Sequence, residues 1–164
     1  MKKLLISIMI LALLMAALFT GCSTAGKEET DTIKIGVASP FTGDYAQFGD
    51  YTKDGVELAV EEINKAGGVL GKPIEIVYGD DKGDSKEAVS VAQKFASDKN
   101  IVGIVGHFFS GATLAAGPIY QQNQIPTIAV ASTNPDVADI GDYVYRINVG
   151  DNYQGSQLAK LLKE

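Results

Sequence analysis

From residue 33 onward, short runs of β-branched and apolar residues take turns with longer segments whose apolar residues recur at helical spacing. This alternation constrains the fold more than any other feature. Residues 33–38 (Ile-Lys-Ile-Gly-Val-Ala) form a first strand closed by Ser39-Pro40. Residues 53–66 then read as a helix: Val56, Ala59, Val60 and Ile63 keep i, i+3, i+4, i+7 spacing, with Glu57, Glu61, Glu62 and Lys65 facing water and Gly67-Gly68 at the end. Further strands are predicted at residues 73–78, 101–105, 126–130 and 143–147. The third of these five lacks polar alternation, which predicts a central strand covered on both faces. A helix capped by Asp84 or Ser85 should bury Ala88, Val91, Ala92 and Phe95. Another, over 110–122, should bury Leu114, Ala115 and Ile119 and bend at Pro118. A last helix starts near residue 152 with Leu158, Leu161 and Leu162 on one side. Short β-to-α-to-β connections imply a parallel sheet between two helical layers, a three-layer α/β fold. Ligands meet such sheets beyond the carboxyl ends of the strands, here residues 39–49, 79–84, 107–111 and 131–135.

The first thirty residues follow other rules. Lys2 and Lys3 precede an apolar run over residues 4–17, and Leu18-Phe19-Thr20-Gly21-Cys22 follows. A basic start, a short apolar stretch and small residues after it read as a secretory signal, and the run is shorter than the ~20 residues of a spanning helix. Cys22 is the only cysteine, so no intramolecular disulfide is available. Its place after Thr-Gly resembles a bacterial lipobox, with Phe19 where leucine is preferred. That resemblance implies a lipoprotein signal peptide over 1–21, cleavage before Cys22, diacylglycerol on its thiol as an anchor to the cell membrane, and a polar tether over 22–32. A net charge of -6 without a basic patch excludes nucleic acid as a partner.

Within the predicted carboxyl-end loops, Gly106-His107-Phe108-Phe109-Ser110-Gly111 raises three chemistries. A serine nucleophile would need a base, yet His107 is the only histidine and sits three residues from Ser110, without a Gly-x-Ser-x-Gly elbow. His107 reads instead as a loop-end residue bonded to backbone. A phosphate site would need a glycine-rich motif or cations, and the loops offer no such motif and almost no lysine or arginine. Asp80-Asp81-Lys82-Gly83-Asp84 lacks the spacing and terminal glutamate of a calcium loop, and one histidine with one cysteine builds no transition-metal cluster. That run reads as a solvated turn with a helix cap. No metal, cofactor or enzymatic activity is expected. A small uncharged or zwitterionic ligand remains: Ser110 at a helix start suits a carboxylate, the loop Ala131-Ser132-Thr133-Asn134 offers a hydroxyl and carbonyls to an ammonium group, and Tyr45 and Phe48 offer apolar surface.

Several stretches together resemble the branched-chain amino-acid-binding proteins of ABC importers. They are Ile35-Gly36 to Gly43, Tyr45-Ala46-Gln47-Phe48-Gly49, Gly55 to Gly68, Gly71-Lys72, Tyr78-Gly79-Asp80-Asp81, Val105-Gly106-His107, Pro126, and Arg146 with Asp151-x-x-Gln154-Gly155. The resemblance implies the first lobe of a two-lobed type I periplasmic-binding (Venus flytrap) fold over 33–147. Residues 148–164 would be the hinge crossing and the first helix of a second lobe whose remainder lies beyond residue 164. It implies Ser110 on the ligand carboxylate, the Ala131 carbonyl on the ammonium, Thr133 on both, Ser132 between them, and Phe48 over an aliphatic side chain. An ABC permease is the implied partner. Some members carry a disulfide joining the positions of Gly83 and Phe109, which this chain lacks. A sensor of amides or urea with the same fold is the alternative.

Overall fold

The structure, a computed structural model, describes residues 32–163; the expectations for the signal, for Cys22 and for most of the tether lie outside the described residues. Five parallel strands form one sheet in the order β2-β1-β3-β4-β5: β1 (Ile33–Ser39), β2 (Ile74–Asp80), β3 (Ile101–Gly106), β4 (Thr127–Ala129) and β5 (Val144–Arg146). Helices α1 (Ala46–Lys65), α2 (Ser85–Ser97) and α3 (Ser110–Gln122) connect them, a 3-10 turn (Pro135–Asp139) precedes β5, and α4 (Asp151–Leu161) follows it. The path from β1 to β2 runs one way across the sheet and the path from β2 to β3 the other. Right-handed crossovers therefore put α1 on one face and α2 and α3 on the opposite face. Strand order reverses between the neighbouring carboxyl ends of β1 and β3, which is where a crevice opens in such sheets.

The core lies between the sheet and α2–α3. Asp84 caps α2 by accepting from the amides of Lys86 and Glu87 at 2.8 and 3.1 Å, and the expected stripe of Ala88, Val91, Ala92 and Phe95 is buried. On α3 the buried residues are Ala112, Thr113, Ala116, Gly117 and Tyr120. Leu114, Ala115 and Ile119, expected to be the stripe, are only half-buried. Close approach explains part of the shift: a β-carbon on Gly117 would lie 2.7 Å from Ile140, so the buried face carries small residues over most of its length, with Tyr120 the one large side chain on it. The helix continues through Pro118.

Helix α1 starts seven residues before the expected position and takes in Gly49, a residue of low helix propensity. In the fold it is a contact: a β-carbon there would sit 2.3 Å from the Pro40 carbonyl oxygen, so only glycine lets the helix pass the end of β1. Of the expected stripe, Val56 and Val60 are half-buried and Ala59 and Ile63 exposed. Register puts Tyr78, Val37, Val105, Ile128 and Tyr145 on the face of α1. There the Tyr78 hydroxyl donates to Glu57 at 2.9 Å; burial first, then the bond to Glu57 and its charge, push the phenol up to about 12. Past β1 the described residues leave this face open: Ile128 and Tyr145 are 44% and 57% exposed. β3 is central as expected, and among the described residues it is covered by helices on one face. Helix α4 has no buried residue, and Leu158, Leu161 and Leu162 all face outward.

Candidate ligand-binding site

Four loops converge at the carboxyl ends of the strands, and the third carries Ser110. It is the first residue of α3, and its hydroxyl oxygen accepts from the backbone amides of Thr133 and Asn134 at 3.2 and 3.3 Å. Two accepted hydrogens occupy both lone pairs of a hydroxyl. Its own hydrogen is therefore left to donate, beside helix-start amides that have no acceptor within the helix. That combination suits an anion with several oxygens, above all a carboxylate.

Ser110 is thereby stitched to the loop after β4. Ala131 and Thr133 are half-buried there. Ser132 is fully buried, and its hydroxyl lies 2.7 Å from that of Thr113 inside the lobe. Its side chain thus faces away from the open end, because alternation along an extended segment turns residue 132 inward between 131 and 133; only its backbone remains for a ligand. The Thr133 carbonyl accepts from the amide of Asp151, at the start of α4, at 2.9 Å and from Arg146 Nη1 at 3.1 Å. Arg146 also donates to the Asn134 carbonyl at 2.9 Å.

An aromatic surface flanks Ser110. Phe48 stands 4.9 Å from Phe108 and 5.5 Å from Phe109 between ring centres, and Tyr45 stands 5.0 Å from Phe109. Tyr45 is 47% exposed and Phe48 half-buried, so the structure brings both expected aromatics to the site. Phe108 and Phe109 were not anticipated; two aromatic residues beside Ser110 in an otherwise small-residue turn are the signal that marks them. Gly83 supports the cluster. It adopts φ +72°, and a β-carbon on it would lie 2.9 Å from Tyr45 and 3.2 Å from Phe109. The two positions that some members join by a disulfide thus lie side by side here, with no room for a β-carbon at 83 unless a ring moves.

The acidic run supplies the expected cap at Asp84 and is solvated at Lys82 and Asp84, but Asp80 and Asp81 turn inward. Asp80 accepts from the amides of Phe41 and Lys82 at 2.9 and 3.0 Å, from the Thr42 amide, and from the Thr42 hydroxyl. Burial pushes this carboxyl up, yet the Thr42 hydroxyl and the three amides together hold it below the usual carboxylate value. Asp81 is wholly buried, with Oδ2 2.6 Å from Nδ1 of His107. His107, also wholly buried, places Nε2 3.1 Å from the hydroxyl of Tyr120. The histidine is therefore bonded through its ring to side chains, where sequence reading expected backbone. Sealing it inside the lobe required polar partners, and both come from distant segments.

Comparison with known proteins agrees with this geometry. A family model described as periplasmic binding protein matches residues 32–164. The leucine-, isoleucine-, valine-, threonine- and alanine-binding protein of Pseudomonas aeruginosa is 38% identical over 155 residues, covering 92% of this chain and 41% of that protein. Among solved structures, an ABC transporter substrate-binding protein from Desulfitobacterium hafniense in complex with leucine aligns with a TM-score of 0.73 and 38% identity, over 80% of this chain and 38% of that one. A solute-binding protein from Rhodopseudomonas palustris BisB5 in complex with 3,4-dihydroxybenzoic acid aligns with a TM-score of 0.67 and 27% identity, over 73% and 32% of the two chains. The chain thus spans less than half the length of each of these proteins. With the sheet order, the converging loops and the family match in agreement, this chain belongs to the periplasmic binding protein family, of type I fold, and is kin to the branched-chain amino-acid substrate-binding proteins of ABC transporters.

Proposed function

We propose that the full-length protein is an extracytoplasmic, lipid-anchored receptor that captures a small amino acid and delivers it to an ABC permease in the membrane. The observation that carries this reading is the Ser110 hydroxyl, saturated as an acceptor by the amides of Thr133 and Asn134 and left with one hydrogen to donate at a helix start. Ser110 holds the carboxylate, the Ala131 carbonyl and the Thr133 hydroxyl take the ammonium group, and Phe48 with Tyr45 lies along an aliphatic side chain. Residues 33–147 act as the first lobe and 148–164 as the crossing into the second, which closes over the ligand. Branched-chain side chains fit best, because the aromatic surface offers area and no polar partner.

Calorimetry on the full-length protein with leucine, isoleucine, valine, acetamide, urea and 4-hydroxybenzoate tests the reading. Saturable binding of a branched-chain amino acid is the expected result. One observation favours a second reading: the cluster of Phe48, Phe108 and Phe109 presents flat ring surface that also suits an aromatic acid. Binding of 4-hydroxybenzoate, or of an amide, without any amino acid would move the protein to that group.

The anchor rests on Cys22, the only cysteine, at the end of the apolar run. Wild-type protein should partition with membranes in detergent-free fractionation, and Cys22→Ser should release it. Equal partitioning of the two would remove the lipid from the proposal.

A further inference from the structure

We infer that His107, sealed from solvent and out of reach of any ligand, is a positioning residue for Ser110, acting through a buried chain of Asp81, His107 and Tyr120. This inference rests on the amino-acid-receptor reading of the Ser110 site. All three side chains are fully buried. A carboxylate only accepts, so Nδ1 of His107 carries the hydrogen directed at Asp81 across 2.6 Å. Nε2 then shares a hydrogen with the Tyr120 hydroxyl at 3.1 Å, and the two rings stack at 5.9 Å. The imidazole is held at both nitrogens, and its residue begins the four-residue turn that ends in Ser110.

The same residue joins the other loops. The His107 carbonyl accepts from the amide of Val130, just before the Ala131–Thr133 loop, at 3.2 Å, and from the Thr113 hydroxyl at 3.4 Å. Asp81 accepts from the Gly83 amide at 2.9 Å through its other oxygen, fixing the turn on which Tyr45 and Phe109 rest. Its own amide donates to the Ser39 carbonyl at 3.2 Å, at the end of β1. Every loop of the proposed site therefore meets this chain within one or two bonds. Leucine or phenylalanine would fill the same space without the desolvation cost of a buried carboxylate. Apolar packing is non-directional, however, whereas two hydrogen bonds on one ring fix its orientation. A hydroxyl that must meet a carboxylate within about half an ångström gains from that orientation.

The test compares His107→Ala, His107→Asn and Tyr120→Phe with the wild type in the full-length protein, by hydrogen exchange and by leucine calorimetry. Asparagine retains a donor near the position of Nδ1. His107→Ala should speed exchange of the amides of residues 108–113 and 131–134 while those of residues 91–95 in α2 keep wild-type protection. His107→Asn should restore part of the lost protection, and leucine affinity should fall about tenfold for alanine and less for asparagine, following the exchange order. If His107→Ala does not fold, Tyr120→Phe carries the same local prediction in smaller measure. Exchange that rises evenly through α2 and the sheet, or does not rise in the turn, would overturn the inference. So would affinity unchanged in a variant whose turn has loosened. Should the wild type bind no amino acid, the receptor reading fails on that control, and the exchange pattern still decides the role of His107.

Discussion

Ser110→Ala in the full-length protein should weaken amino-acid binding by roughly 1.5–3 kcal/mol, about 10- to 150-fold in dissociation constant, because it removes a hydrogen bond to a charged group. Two consequences of the geometry push toward the upper part of that range. The amides of Thr133 and Asn134 lose the oxygen they share, so the loop that should take the ammonium group also loses a tether. The hydroxyl of Ser132 cannot substitute, since it is turned inward to Thr113. The measurement is calorimetric titration of wild type and variant, with thermal unfolding to establish that both are folded. A dissociation constant within about twofold of wild type would take the serine out of the site.

The second large effect concerns stability. Phe95→Ala should destabilise the protein by about 3–5 kcal/mol, the usual range for truncating a buried aromatic residue. The ring lies across β1 and β2, and the strand positions beneath it are glycines: β-carbons on Gly36 and Gly79 would come within 2.9 and 2.7 Å of its atoms. Glycines offer no side chain to swing into the void, so the cavity should persist and the loss should fall near the top of the range. Urea denaturation of both proteins reads it out. A loss below about 1 kcal/mol would mean that α2 settles onto the sheet after all.

The sequence made the layer order plain because β-branched runs and helical stripes have different periods, and Ile101–Gly106 and Ser85–Ser97 match them well. It misjudged α3, where size suggested Leu114 and Ile119 but packing chose Ala112, Ala116 and Gly117. It placed the start of α1 late; Gly49, inside the helix, lowers helix propensity and serves a tertiary contact that no local window contains. Ser110, Phe48 and Tyr45 were picked out as polar or aromatic residues near the carboxyl ends of the strands, and the structure gathers them there, Phe48 from the first turn of α1 and not from a loop. Asp81 and His107 were not legible as a pair, since their significance is a contact across 26 residues inside the protein. Nothing in either segment alone marks one as buried against the other.

At Thr133 the backbone and the side chain can be altered separately. Its backbone is a junction: the N–H donates to Ser110, and the carbonyl accepts from Arg146 and from the first amide of α4. Its hydroxyl takes no part in that junction. Genetics can therefore separate what the fold has combined. Any residue with a backbone N–H preserves the junction, so Thr133→Ala or Thr133→Val removes the hydroxyl and leaves those bonds in place. Proline alone would take the Thr133 N–H from Ser110, leaving the Asn134 amide as the one remaining bond from this loop to the serine and so loosening its connection to the start of α4.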